Sequence, residues 1–134
     1  MKKLLLALSL LSMGGCAAVD AMLMSKFDGS EYHLITQIRV DASEYANGCS
    51  NPILGPSNAI AMAHETELFE KYSEQIPHND DGYDAAKKLN EIAQGLKSRY
   101  GESTPVPPIF CKLKYSSIES SAKVLQHVIG SRPR

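Results

Sequence analysis

Residues 83–100 read YDAAKKLNEIAQGLKSRY. Apolar side chains recur in this stretch at steps of three and four residues, which is the period of a helix that buries one face. An acidic pair, Asp80 and Asp81, precedes it, where negative charge favours the exposed amides of a helix start, and Gly101 follows it. The stretch therefore predicts an amphipathic helix from about Tyr83 to Tyr100. Its apolar positions are Ala86, Leu89, Ile92, Ala93, Leu96 and Tyr100.

The stretch after Asp28 shows the same period but has an alternative. Asp28 can cap a helix while the Glu31 side chain reaches back to the cap amide, and Asn47–Gly48 provides a stop. The helical stripe is Leu34, Ile35, Ile38, Ala42, Tyr45, Ala46 and Cys49. Residues 31–47 also begin with a strand-like alternation of Tyr32, Leu34, Thr36, Ile38 and Val40. The helix is preferred because its pattern runs further along the chain, and a strand remains the alternative.

Two more helices are expected, one before and one after the 83–100 stretch. The earlier helix is capped by Ser57 or Asn58 and stopped by Pro77, and its apolar positions are Ala61, Leu68, Phe69, Tyr72 and Ile76. The later helix follows an extended segment, Thr104–Pro108, and ends at Gly130. Its stripe is Cys111, Tyr115, Ile118, Ala122, Leu125 and Ile129. The predicted fold class is all-α, a small bundle of about four helices.

The N-terminus has the pattern of an export signal. Lys2 and Lys3 precede a short apolar run, and this run is too short to span the roughly 30 Å of a bilayer core as a helix. The following Met13-Gly14-Gly15-Cys16 resembles the bacterial lipobox. That resemblance implies cleavage before Cys16, which then carries the acyl chains that anchor the protein. Because Ala17 rather than Asp follows, it also implies the periplasmic face of the outer membrane.

These patterns divide the chain into three parts. Residues 1–15 are the expected signal peptide, residues 16–27 a lipidated tether, and residues 28–134 a helical periplasmic domain. In an oxidising compartment the two remaining cysteines, Cys49 and Cys111, are expected to form a disulfide. Free thiols and intermolecular bridges are the alternatives.

The composition argues against several classes of function. The 134-residue chain has a net charge of −1, which becomes more negative once Lys2 and Lys3 are removed, so nucleic acid is not expected as a partner. No Gly-x-Ser-x-Gly motif is present, so we expect no enzyme and no catalytic residues. Neither a metal nor another cofactor is expected, because no metal-ligand spacing occurs and residues 78–82 fit a helix cap better than a calcium loop. The histidines are expected at the surface or in helix packing: His33, His64, His78 and His127.

A protein–protein interaction role remains. The leader ending at Cys16, the small size, the proline-containing stretch and the helical segment from Cys111 to Gly130 resemble phage outer spanins. That resemblance implies an inner-membrane partner and disruption of the outer membrane during lysis. The alternatives are a host lipoprotein for envelope assembly or maintenance, and a surface-exclusion or inhibitor lipoprotein. The basic tail Arg132, Pro133 and Arg134 is a candidate partner-binding segment, and we expect it to be mobile and exposed.

Overall fold

Four helices make up most of the domain. The computed structural model describes residues 24–134 and contains α1 (Gly29–Tyr45), α2 (Leu54–Glu74), α3 (Asp80–Tyr100) and α4 (Pro108–Gly130). A single 3₁₀ turn, Ala46–Gly48, follows α1, and no strand occurs between residues 24 and 134. The predicted all-α bundle is confirmed, and residues 31–47 are not a strand. The expected signal peptide, Cys16 and most of the tether lie outside the described residues.

The helices form an up-and-down bundle. Short connections join them, so neighbours along the chain run antiparallel. Contacts are most extensive within two pairs, α1 with α4 and α2 with α3, whereas α1–α2 and α3–α4 contacts are sparser. One end of the bundle, the tether end, holds residue 24, the start of α1 and the end of α4. The opposite end holds the start of α4 and the loop before α2.

Local side chains set the helix starts. The Asp28 carboxylate accepts a hydrogen bond from the Glu31 amide at 2.8 Å, as the sequence predicts for a cap. At α2 the cap is Asn51, whose side-chain oxygen accepts from the amides of Ile53 and Leu54 at 2.9 Å each. The helix therefore begins earlier than a cap at Ser57 or Asn58 would allow. Pro108 occupies the first turn of α4, where its missing N–H costs little.

The core lies along the bundle axis. On α2, the buried residues differ from those that the sequence predicts. Leu68, placed on the buried stripe by its spacing, is 48% exposed, so that assignment is wrong. The face of α2 that turns inward carries smaller residues beside Phe69, and small side chains let α2 and α3 approach closely. The buried positions of α2 are Gly55, Ala59, Met62, Ala63, Thr66, Phe69 and Ser73.

The predicted disulfide is confirmed. Cys49 and Cys111 are joined within the chain, with a Cα–Cα distance of 5.7 Å, and both are buried. The bridge ties the turn after α1 to the first turn of α4 and closes a loop of 62 residues. In the chain-entropy model, a loop of this length stabilises the fold by about 4 kcal/mol.

Candidate partner-binding surface

The C-terminal tail folds back onto the start of the domain. The Phe27 amide donates to the Pro133 carbonyl at 2.8 Å, and the Arg134 guanidinium lies 4.8 Å from the centre of the Phe27 ring. Arg132 is only 7% exposed, so the expectation of a mobile, exposed tail is wrong there. Pro133 and Arg134 remain exposed. Of the three predicted tail residues, only these two are exposed to solvent.

Arg132 is buried because it neutralises a buried carboxylate. Glu31 is 0% exposed, and its Oε2 pairs with Arg132 Nη1. Its Oε1 accepts from Ser73 Oγ and from Asn79 Nδ2, at 3.1 Å each. Asn79 Oδ1 in turn accepts from Arg132 Nη2 at 2.7 Å and from Ser25 Oγ at 3.4 Å. These five residues form the tether-end network, which joins the N-terminal and C-terminal parts of the domain to the end of α2.

The Glu31 side chain does not complete the expected capping box. Only the Asp28 half of that motif is present, since the Glu31 carboxylate points into the bundle. One signal in the sequence could have shown this. Glu31 lies four, seven and eleven residues before Ile35, Ile38 and Ala42, so it is in phase with the buried stripe of α1.

The turn between α2 and α3 is shaped to place Asn79 in the network. His78 adopts a φ of 59°, a left-handed conformation that histidine tolerates better than most residues. Asn79 is the first residue after it and is buried, but its side chain makes no cap hydrogen bond to α3. A Cβ on Gly82 would lie 2.1 Å from Asn79 Oδ1 and 2.9 Å from Arg132 Nη2. The turn thus begins α3, with Asn79 at the N-cap position and Asp80 and Asp81 in the first turn, and it also holds the Asn79 side chain against Arg132.

A groove lies beside this network, between α3 and α4. Its volume is about 670 Å³, and it opens at the tether end. Exposed Asp80 and Asp81 stand on the α3 side. The apolar residues that line it are Met24, Ala85, Val124, Leu125 and Val128. Two of them, Val124 and Val128, also belong to the outward face of α4.

That outward face is apolar at both ends. Ile109, Leu113, Val124 and Val128 are 66, 61, 63 and 49% exposed. At 3.6 residues per turn, these four side chains lie within a sector of about 100° around the axis of α4. Ser117 and Ser120 occupy the middle of this sector, and the exposed His127 lies at its edge. We call the four apolar residues and these two serines the α4 stripe.

Cations flank the α4 stripe. Lys112 and Lys123 are exposed on one side of it, and Lys114 on the other side lies 5.3 Å from the centre of the Phe110 ring. Glu119 is the one acidic residue of α4. Positive charge therefore borders an exposed apolar surface on α4.

Within residues 24–134 the other candidate residues do not converge. His33, His64, His78 and His127 are exposed and lie on different elements. No group of three or more His, Cys, Asp or Glu side chains in this range could hold a metal ion. None of the helices in the same range has the length and apolarity needed to cross a bilayer.

Comparison of the chain with protein-family models, with curated proteins and with solved structures finds no match.

Proposed function

We propose that this protein is a lipoprotein, anchored through Cys16 to the periplasmic face of the outer membrane, that binds another envelope protein through the α4 stripe. The observation that carries the proposal is the exposure of four large apolar side chains on one uncharged helix face. Single exposed apolar residues are ordinary, but an aligned set on one face is typical of a binding surface.

The partner that this surface fits is an amphipathic helix. Ile109 and Val128 are separated by about 29 Å along α4, a length that about five turns of a partner helix would cover. An apolar stripe with small residues at its centre accepts a second helix laid alongside it. Because Lys112 and Lys123 flank the stripe, acidic residues on the edges of the partner helix would improve the fit.

The most specific form of the proposal is a phage outer spanin subunit. In that form the partner helix belongs to an inner-membrane coiled-coil protein, and the complex disrupts the outer membrane at host lysis. The lipobox-like Met13–Cys16 and an unpartnered helical face on the last helix support this form. The stripe runs to the tether end, so a helix bound along it would reach the end of the domain from which the anchor extends.

The experiment is co-expression of the full chain with a candidate inner-membrane coiled-coil protein, scored by co-purification and by lysis. We expect Leu113→Asp or Val124→Asp to weaken co-purification at least about tenfold without changing the melting temperature, because a charge would be buried on binding. Ile60→Asp is the matched control, since Ile60 is 57% exposed but lies on α2.

Two outcomes would contradict the proposal at different levels. Unchanged binding by both stripe variants would show that the α4 stripe is not the partner surface. Stripe-dependent capture of a partner without lysis would reject the spanin form and favour a role in envelope assembly or inhibition.

A further inference from the structure

A second exposed apolar surface lies on α2, on the side of the helix that is turned away from the bundle. Leu54, Ile60 and Leu68 are 49, 57 and 48% exposed, and Ile53, directly before the helix, is 79% exposed. At 3.6 residues per turn, the three helical residues lie within a sector of about 120° around the axis of α2. We call these four residues the α2 face. The exposed polar residues in the same sector are Ser57, His64 and Lys71.

The α2 face and the α4 stripe lie on opposite sides of the domain. Both α2 and α4 pack against α1 and against α3, so they occupy opposite corners of the bundle. The Cys49–Cys111 bridge lies near the start of both helices. At the tether end, Ser73 near the end of α2 and Arg132 just after α4 both contact Glu31. The two surfaces therefore face in opposite directions, on helices that run the same way.

The two helices carry opposite charge. α2 contains four glutamates and one lysine, a net charge of −3, whereas α4 contains three lysines and one glutamate, a net charge of +2. Exposed Glu67 and Glu74 border the α2 face, as lysines border the α4 stripe. Pairing α2 with α2, or α4 with α4, would bring like charges together. Pairing α2 of one copy with α4 of another brings opposite charges together.

The ends of α2 and α4 lie at the same height in the bundle. A Cβ on Gly130 would lie 3.1 Å from the ring of Tyr32. The preceding residue, Glu31, accepts a hydrogen bond from Ser73. Gly130 and Ser73 are therefore at about the same level, and the other residues of the two helices can be matched by counting back from them at 1.5 Å per residue.

A second copy placed beside the first, without a shift along the helix axes, brings complementary residues together. Leu68 comes level with Val124, and Glu67 with Lys123, to within about one residue's rise. Ile60 comes level with the serines in the middle of the α4 stripe, where small side chains leave room for it. Apolar contact, charge and side-chain size thus agree in one register.

We propose that copies of this chain associate head to tail, with the α2 face of one copy against the α4 stripe of the next. Because the two surfaces lie on opposite sides of the domain, the contact repeats by translation, and every copy in the row keeps its tether end on the same side. Such a row suits chains that are anchored in one membrane. The inference rests on the α4 stripe of the proposed function as a binding surface, and it names what occupies the stripe when the envelope partner is absent.

The first test is co-purification of two differently tagged full-length copies from solubilised membranes. We expect wild-type copies to co-purify, and Ile60→Asp or Leu113→Asp in both copies to reduce recovery at least about tenfold, because a charge would be buried in the contact. Melting temperatures should not change, since both side chains are exposed in the single chain. Val40→Asp is the control, because Val40 is 50% exposed but lies on α1. Wild-type copies that do not co-purify would overturn the proposal.

A mixed pair of variants distinguishes a head-to-tail contact from a symmetric one. A copy with Ile60→Asp retains its α4 stripe, and a copy with Leu113→Asp retains its α2 face. The two variants should therefore co-purify with each other, although neither associates with itself. No recovery in the mixed pair, or undiminished self-association of either variant, would refute the head-to-tail arrangement.

The same variants separate this inference from the proposed function. Ile60→Asp should lose self-association and still capture the coiled-coil partner, whereas Leu113→Asp should lose both. If Leu113→Asp lost only partner capture, this inference would fail and the proposed function would stand. If it lost only self-association, the proposed function would fail and this inference would stand.

Discussion

Removal of the Arg132 side chain should destabilise the whole domain, although only two residues follow Arg132 in the sequence. In Arg132→Ala the Glu31 carboxylate, which is 0% exposed in the native structure, would lose the one cation that pairs with it among residues 24–134. Ser73 and Asn79 would still donate to Glu31 Oε1, but neither carries a charge. Asn79 Oδ1 would also lose its 2.7 Å bond from Arg132.

The expected loss in the free energy of unfolding is large because both partners of the Arg132–Glu31 ion pair are buried. The side chains of Arg132 and Glu31 are 5 and 0% exposed, so water screens the pair little. Removing one partner of such a pair costs about 3–5 kcal/mol. A domain of this size has a total stability of about 6–17 kcal/mol. The melting temperature should fall by about 10–20 °C.

The assay is thermal and urea unfolding of Arg132→Ala, followed by circular dichroism. Arg134→Ala is the matched control, because Arg134 is exposed and contacts mainly the Phe27 ring. We expect the control to cost less than about 1 kcal/mol. A second variant, Glu31→Gln in the Arg132→Ala background, removes the unpaired charge and should recover part of the lost stability. If Arg132→Ala and Arg134→Ala were equally stable, the reasoning about the tether-end network would be refuted.

Three further outcomes are expected. Replacement of Cys49 and Cys111 by Ser should lower the free energy of unfolding by about 4 kcal/mol in urea titrations, and an unchanged midpoint would contradict the role given to the bridge. Gly55→Ala would place a Cβ 2.7 Å from Tyr100 OH and should lower the free energy of unfolding by about 1–3 kcal/mol. Tyr100→Phe in the same chain removes the hydroxyl and should reduce that loss. Equal losses with and without Tyr100→Phe would argue against this contact. Cys16→Ser should abolish palmitate labelling and membrane association while circular dichroism stays helical, and persistent label would reject the lipoprotein proposal.

Helix positions could be predicted because the information for them is local. The stripe at 83–100, the Asp28 cap and the Gly and Pro stops all act within about one helical turn. The start of α2 is harder to place, because its cap is Asn51, ten residues before Ala61, the first apolar position assigned to this helix. Leu68 was misassigned because α2 packs through small residues, which a search for large apolar side chains overlooks.

The long-range polar contacts could not be predicted from local patterns. Glu31 and Arg132 are 101 residues apart, and Glu65 meets Tyr45 across 20 residues and two helices. A glutamate three residues after a cap has a local interpretation that satisfies its hydrogen bonds. The phase of Glu31 with the buried stripe of α1 indicates burial, but it does not identify the partner. The long-range partner became visible only once the phases of α1 and α4 were known.

The amino-acid sequence by itself determined that the domain is helical, where three of the four helices lie to within a turn, and which two cysteines were available to pair. The tertiary structure alone decided that these cysteines meet, that Arg132 is buried rather than free, and that one uncharged face of α4 stays open. The physical reason is the range of the interactions involved. Helices form through hydrogen bonds four residues apart, whereas disulfide geometry, ion pairing and exposure depend on how whole helices pack against one another.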